Sequence, residues 1–136
     1  MLERFIQPDF ESYEDFYNNF DVKFADDFNF GFDVVDEWAK EEPEKLALLW
    51  CDDHENERRF SFSDISRLSN QAANYLKSLG LQKGDAVMMM LRRRYEYWYL
   101  INAMHKMGII AIPATHILTA KDIVYRIEAA DIKCII

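Results

Sequence analysis

Three short apolar runs, separated by two amphipathic stretches, constrain the fold of this 136-residue chain more than any other feature. The runs occupy residues 86–91, 109–112 and 132–136, and the first reads Ala-Val-Met-Met-Met-Leu. A strand that is apolar at every position is expected to be covered on both faces, as in parallel sheets. Strand, helix, strand, helix and strand at this spacing predict a right-handed βαβαβ unit, so the predicted fold class is α/β.

The stretches between these runs carry helix signals. Residues 94–107 place apolar side chains three and four positions apart, and Gly108 follows as a helix end. Thr119 and Asp122 form a capping-box pattern that opens a second helix, with Ile123 and Ile127 on its apolar face. Both predicted helices are long enough to cross from one parallel strand to the next.

The N-terminal part of the chain is predicted to be helical and acidic. Aromatic residues spaced by three or four predict a helix over residues 8–20, with Pro8 near its start. A second helix is predicted over residues 32–41. Residues 1–45 hold 14 Asp and Glu against 4 Lys and Arg, whereas residues 46–136 hold 10 against 12. We therefore divide the chain into an acidic helical region, 1–45, and a hairpin plus the start of an α/β subdomain, 46–136.

A β-hairpin is predicted between the two regions. Residues 46–50 are apolar, residues 58–62 alternate, and a polar stretch separates them. A helix should follow, with Ser63 as its N-cap and Gly80 just past its end.

Charge and hydropathy exclude several classes of protein. The net charge of −8 argues against binding of duplex nucleic acid, which needs a basic face. Charges interrupt every apolar run, so the sequence predicts no membrane span, and the N-terminus shows no secretory signal. Cys51 and Cys134 lie in strand-like segments, and we interpret both as reduced core residues of a cytoplasmic protein.

Nucleotide-binding, catalytic and metal-binding motifs are not found in this sequence. The turn after the first buried run reads Arg92-Arg93-Arg94-Tyr95, without the small residues that let a pyrophosphate approach the backbone. The chain has four glycines, too dispersed to build a phosphate-binding loop. The polar cluster Cys51–His54 is interpreted as a hairpin turn in preference to a metal site. We therefore assign no catalytic, ATP-binding, AMP-binding or metal-ligating residue.

Two segments remain as candidate sites because each follows a predicted parallel strand, where open α/β sheets bind ligands. Arg92, Arg93 and Arg94 either contact an anionic ligand or a neighbouring domain, or they form a solvated helix start paired with Glu96 or the acidic region. Thr115, His116 and Ile117 lie between the second buried run and its following helix, and their residue types alone indicate an ordinary connection.

The sequence stops within the third apolar run. We therefore expect a truncated domain that self-associates as a dimer, through its sheet edge or its exposed aromatic surface.

The order of several short motifs over residues 28–136 is similar to that of one enzyme family. These motifs are Phe28-Asn29-Phe30, Leu79-Gly80 before Lys83-Gly84-Asp85, Arg93 with Glu96 and Trp98, and Thr119 with Asp122, Ile123, Tyr125, Arg126 and Ile127. In this order they resemble the N-terminal part of AMP-forming acyl-CoA synthetases, in the acetyl and medium-chain acyl branch of the adenylate-forming superfamily. Arg92 and Tyr95 stand where that family has prolines, so we expect a more helical and more basic turn here.

The resemblance implies that the full-length protein is an acid–thiol ligase. Such enzymes activate acetate or a short- or medium-chain acid with ATP and Mg²⁺, then transfer the acyl group to CoA. Their phosphate loop and catalytic lysine lie later in the family's sequence, so we expect these 136 residues to be inactive without the remainder of the chain. The resemblance also places Thr115, His116 and Ile117 near the CoA adenine. An alternative from another class is a non-catalytic binding or regulatory module that acts through its acidic N-terminal region.

Overall fold

The computed structural model describes residues 2–7 and 9–136. Its α-helices are α1 (Tyr13–Asn19), α2 (Glu37–Glu41), α3 (Phe62–Ser78), α4 (Glu96–Met107) and α5 (Ala120–Ala130). Its strands are β1 (Leu46–Cys51), β2 (Glu57–Ser61), β3 (Ala86–Met89), β4 (Ile110–Pro113) and β5 (Ile132–Ile135). A 3₁₀ turn covers Leu2–Arg4, and a π-helical segment, Gly31–Asp36, runs directly into α2.

The C-terminal part of the chain is the predicted βαβαβ unit. Its three parallel strands lie in the order β4-β3-β5, with Ala86 opposite Ile110 on one side and Ile132 on the other. This order confirms the predicted fold class: α4 connects the neighbouring strands β3 and β4, and α5 crosses from β4 past β3 to β5.

The two faces of β3 are buried in separate apolar clusters. Val87 and Met89 face α3 and α4, where they join Ala72, Leu76, Ala103 and Met104. Ala86 and Met88 point to the opposite face, against Ile132 and the α5 residues Ile123 and Ile127. Alternating side chains of one strand therefore build two layers of core.

The outer strands differ from the prediction that all three runs are covered on both faces. Ile110 of β4 is 55% exposed and Ile135 of β5 is 42% exposed. Only β3 has a strand on each side among the described residues, so the helices bury it completely and leave parts of its neighbours open.

The predicted hairpin is confirmed, with β1 and β2 antiparallel and Trp50 opposite Arg58. The interpretation of Cys51 as a core residue is wrong, because this end of the two-stranded ribbon reaches into solvent and the residue is exposed. Cys134 is partly buried, and neither thiol forms a disulfide.

Helix α3 begins two residues earlier than predicted, because its N-cap is not Ser63. Its N-cap is Ser61: the Ser61 hydroxyl accepts from the Asp64 backbone N–H at 3.2 Å, and the Asp64 carboxylate accepts from the Ser61 N–H at 3.1 Å. These hydrogen bonds, with the ion pair to Arg67, lower the pKa of Asp64 against the opposing effect of partial burial. The helix ends as predicted, with Gly80 at φ +88°.

The two candidate caps can be separated by substitution. We expect Ser61→Ala to lower the free energy of unfolding by about 1 kcal/mol, because the Asp64 N–H loses the hydroxyl that accepts its hydrogen bond. Ser63→Ala should leave the midpoint of urea denaturation unchanged. Equal effects of the two substitutions in urea denaturation would contradict the assignment of Ser61 as the cap.

The first helix is shorter than predicted. It begins at Tyr13 because the Ser12 hydroxyl accepts from the Asp15 N–H at 3.0 Å and so caps the helix there. Pro8 lies outside the described residues. In the second predicted helix, helical backbone begins at Gly31 with a π-helical turn, and Val35 is buried there.

A buried ion pair joins this N-terminal segment to the α/β unit. The Lys106 ammonium donates to Asp36 Oδ1 at 2.7 Å and to Asn70 Oδ1 at 2.8 Å, and the Lys106 side chain is only 3% exposed. Nearby, the Asn29 amide donates to the His105 carbonyl at 2.6 Å. Burial lowers the pKa of His105, which favours the neutral ring. These contacts fix residues 29–36 against α3 and α4.

No helix within the described part of the chain combines the length and apolar character that crossing a membrane requires.

Candidate functional site

The carboxyl ends of the parallel strands meet at one edge of the sheet. The Ala114 N–H, just after β4, donates to the Met89 carbonyl at the end of β3 at 2.9 Å. On the other side, the Met90 N–H donates to the Ile136 carbonyl at 2.7 Å. The two predicted candidate segments, which follow β3 and β4, therefore begin side by side at this edge.

The arginine turn, Arg92–Arg94, is exposed and precedes the helix. Helix α4 begins at Glu96, two residues later than the predicted start at residue 94, so the arginines precede the helix and do not form its first turn. The predicted pairing with Glu96 is present for Arg94, whose guanidinium donates to both carboxylate oxygens at 3.1 and 2.5 Å. Partial burial acts to raise the pKa of Glu96, but the hydrogen bond and charge of Arg94, together with hydrogen bonds from the Glu96 backbone and from Tyr95, outweigh it and lower the pKa. In the part of the chain that the structure describes, Arg94 forms an ion pair, whereas Arg92 and Arg93 form none.

The β-hairpin holds the arginine turn in place. The Trp50 indole N–H donates to the Arg93 carbonyl at 2.6 Å. Arg58 donates to the Tyr95 hydroxyl at 3.0 Å, and its guanidinium lies 4.9 Å from the centre of the Tyr95 ring. The rings of Trp50 and Phe60 pack on the same tyrosine at 5.3 and 5.1 Å. Four arginines, three in the turn and one on β2, are thus gathered at this side of the molecule.

Three neighbours of the turn were not predicted from the sequence: Trp50, Arg58 and Phe60. Their alternation along β1 and β2 places them on one face of the hairpin, which the pattern does indicate. The contact with Arg93 has no sequence signal, because the acceptor is a backbone carbonyl.

The second segment, Thr115–Ile117, is an exposed loop. Ile117 is 74% exposed, and its N–H lies 3.5 Å from the Thr115 hydroxyl, so this loop is held weakly. It ends at Thr119, where the predicted capping box is present: the Asp122 N–H donates to the Thr119 hydroxyl at 3.3 Å. Hydrogen bonds from the Thr119 side chain and backbone lower the pKa of Asp122. The loop offers a threonine hydroxyl, an imidazole and an apolar side chain to a ligand.

The polar cluster Cys51–His54 is a turn, which supports the interpretation from the sequence. The Asp52 carboxylate accepts from the backbone N–H groups of His54 and Asn56, at 2.9 and 3.0 Å, and from the Asn56 side chain. That side-chain hydrogen bond is the main cause that lowers the pKa of Asp52. Among the described residues, no group of three or more His, Cys, Asp or Glu side chains is arranged to hold a metal ion.

Solved structures share this fold. An acyl-CoA synthetase from Brucella canis superposes with a TM-score of 0.74 at 23% identity, over 79% of this chain and 20% of that one. The N-terminal domain of FACL13 from Mycobacterium tuberculosis gives a TM-score of 0.70 at 23% identity, over 79% and 26%. The arrangement of helices, hairpin and parallel sheet is therefore shared with a part of each of these two structures.

Sequence relatives identify the family. The family model described as AMP-binding enzyme matches residues 35–136. The human protein Acyl-coenzyme A synthetase ACSM4, mitochondrial, is 43% identical over 115 residues, covering 80% of this chain and 20% of its own length. The rat protein Acyl-coenzyme A synthetase ACSM3, mitochondrial, is 36% identical over 137 residues, covering 96% and 24%. The chain belongs to the AMP-binding enzyme family, and it spans about a quarter or less of the length of these relatives.

Proposed function

We propose that this chain is the N-terminal portion of an enzyme that joins a carboxylic acid to CoA. In the first step, a carboxylate oxygen of acetate or of a short- or medium-chain acid attacks the α-phosphorus of ATP, and pyrophosphate leaves. In the second, the CoA thiol attacks the acyl carbon, gives up its proton, and AMP leaves. The observation that carries this proposal is the family match over residues 35–136, together with relatives named as acyl-CoA synthetases.

We assign no residue of this chain to the binding of ATP or Mg²⁺. The turn after β3 carries arginines where a phosphate-cradling turn needs glycines, and the described residues hold no cluster fit for a metal ion. We therefore propose that the 136 residues are inactive by themselves and that the remainder of the protein supplies the catalytic groups.

The carboxyl edge of the sheet is the proposed contribution of this chain to ligand binding. The exposed loop Thr115–Ile117 would lie against the CoA adenine, where Ile117 offers apolar contact and His116 a ring to stack. The arginine turn would contact an anionic ligand or a neighbouring domain through Arg92 and Arg93, since Arg94 is already paired with Glu96. The position of both segments after adjacent parallel strands supports this proposal.

A chimera tests the proposed activity. In human ACSM4, the stretch that aligns with this chain is replaced by the corresponding residues of this chain. We expect the chimera to catalyse carboxylate-dependent ATP–pyrophosphate exchange, with the isolated 136-residue chain as an inactive control. A folded chimera without exchange, or clear exchange by the isolated chain, would contradict the proposal.

The CoA loop is tested in the same chimera. We expect His116→Glu to raise the KM for CoA, because a carboxylate at this loop repels an anionic ligand, and to leave the exchange reaction unchanged. The control is Lys121→Glu, which lies just beyond the loop and changes the charge by at least as much as His116→Glu does. Equal losses in both half-reactions would mean that His116 is structural.

Two assignments remain proposals. The cytoplasmic location is one of them, and the relatives ACSM3 and ACSM4 carry the word mitochondrial in their names. The non-catalytic alternative is favoured by one observation, the exposed aromatic side chains of the acidic N-terminal region.

A further inference from the structure

Helix α1 presents a surface of aromatic and acidic side chains that no other helix or strand of the described residues covers. Tyr13 and Tyr17 are 72% and 74% exposed, and their rings lie 6.2 Å apart on the same side of the helix. Phe16 and Phe20 remain 42% and 45% exposed, although they pack on each other and on Phe10. We refer to Tyr13, Phe16, Tyr17 and Phe20, with the neighbouring Glu11 and Glu14, as the acidic–aromatic face.

This helix lacks the support that a short helix needs. It has seven residues and buries none of them. Isolated helices shorter than about 12–15 residues are marginal in water, and helices in proteins gain most of their stability from packing. A surface that packs on α1 would therefore stabilise the helix as well as cover its rings.

The charge of the segment determines the chemistry of such a surface. Residues 5–22 contain five Asp and Glu and no Lys or Arg. An apolar partner without cations would desolvate these carboxylates with no compensation, which is costly. The complementary surface must therefore carry cations and aromatic or aliphatic groups together.

The chain itself carries such a surface at the carboxyl edge of β3. Arg92, Arg93 and Arg94 are exposed there, and Arg58 is stacked on Tyr95 beside them. Trp98, on the first turn of α4, is 50% exposed. We refer to these four arginines with Tyr95 and Trp98 as the arginine face. Arginine binds carboxylates through its planar fork and also stacks on aromatic rings, so it suits both components of the acidic–aromatic face.

We propose that the acidic–aromatic face of one copy docks on the arginine face of a second copy. The reverse contact forms at the same time, which gives a closed dimer with two-fold symmetry. This assigns the self-association expected from the sequence to the aromatic surface rather than to the sheet edge. The proposal assigns Arg92 and Arg93 to a second copy in place of the anionic ligand or neighbouring domain named above, and it leaves the proposed acyl transfer and the proposed role of the Thr115–Ile117 loop unchanged.

Sedimentation velocity on the 136-residue chain is the first test. We expect a monomer–dimer equilibrium that shifts toward monomer when salt rises from about 0.1 M to about 1 M, because the screening length falls from about 10 Å to about 3 Å. A strict monomer at high micromolar concentration would overturn the proposal. So would a dimer that high salt leaves unchanged or strengthens, since it would be held by apolar contacts alone.

Charge reversal on each face identifies the contact. We expect Arg92→Glu/Arg93→Glu and Glu11→Arg/Glu14→Arg each to weaken the dimer by about tenfold or more. Lys77→Glu/Lys83→Glu is the matched control, since it makes the same change in net charge as the arginine variant at exposed positions, one near the end of α3 and one just before the amino end of β3. Circular dichroism spectra like that of the unmutated chain establish that the variants are folded.

Mixing the two charge-reversed variants gives the decisive result. Each contact in the mixed pair again joins opposite charges, so we expect a heterodimer that is tighter than the weakened dimer of either variant alone. Failure of the mixture to associate would overturn the proposal. A dimer that survives both reversals but is lost on Ile135→Lys would place the contact at the sheet edge and would overturn it as well.

Discussion

Replacing Lys106 with alanine is expected to lower the free energy of unfolding by about 3 kcal/mol. The Lys106 side chain is 3% exposed, and its ammonium donates to Asp36 and Asn70. Removal leaves the Asp36 carboxylate, only 18% exposed, without its cation, and leaves the Asn70 oxygen without a donor. The lysine stem also fills space beside Gly31, where an added Cβ would lie 2.7 Å from Lys106 Cγ. Urea denaturation followed by circular dichroism measures the loss.

Two further variants separate charge from packing at this position. Lys106→Met keeps most of the buried stem. If it lowers the free energy of unfolding nearly as much as Lys106→Ala does, the ion pair contributes more than the packing of the stem. Lys40→Ala is the surface control, because Lys40 also pairs with an acid, Glu37, but is 72% exposed. We expect no change in the urea midpoint for this control. A similar small effect for Lys106→Ala would refute the view that this ion pair joins the N-terminal segment to the rest.

Leu76→Ala is expected to cost about 2–5 kcal/mol, because it opens a cavity where the core cannot close around it. Leu76 is 1% exposed and lies in the cluster that α3 and α4 form over Val87 and Met89. It is also the residue whose carbonyl accepts from the Leu81 N–H at 3.4 Å, in the turn that ends α3. For a domain of marginal stability, this loss is enough to unfold a large fraction of the molecules at 25 °C.

The matched control for Leu76→Ala is a leucine three residues later in the sequence. Leu79 is 54% exposed at the end of the same helix. We expect Leu79→Ala to change the free energy of unfolding by about 0.5 kcal/mol or less. Thermal unfolding should give the same ranking of the two variants as urea. Comparable losses for both would mean that the cluster around Leu76 rearranges to fill the space.

The regular part of the fold could be predicted because its signals are local. The buried run at β3, the Thr119 capping box and Gly80 at the end of α3 each express a preference that a few neighbouring residues decide. The Ser61 cap carried such a signal too, since Asp64 stands three residues later, but Ser63 offered a competing hydroxyl. The exposure of Ile110 could not be predicted, because it depends on which strand lies at the edge of the sheet.

The candidate site could be predicted only in outline. Because parallel strands end at one edge, the sequence places the arginine turn and the Thr115–Ile117 loop together. The hydrogen bond from Trp50 to the Arg93 carbonyl joins residues 43 positions apart, and Lys106 and Asp36 are 70 apart. Contacts of this kind depend on how α3, α4 and the hairpin pack, and no periodicity or motif encodes them.

The central place of β3 in the sheet has a consequence during synthesis on the ribosome. β3 leaves the ribosome before either of its partners, and residue 132, where β5 begins, follows residue 86 by 46 positions. At about 5–20 residues per second, a strand made only of Ala, Val and Met waits roughly 2–9 s for its second neighbour. During that interval the nascent chain exposes the apolar faces of β3, and α3, which is already synthesised, is available to cover the face that carries Val87 and Met89.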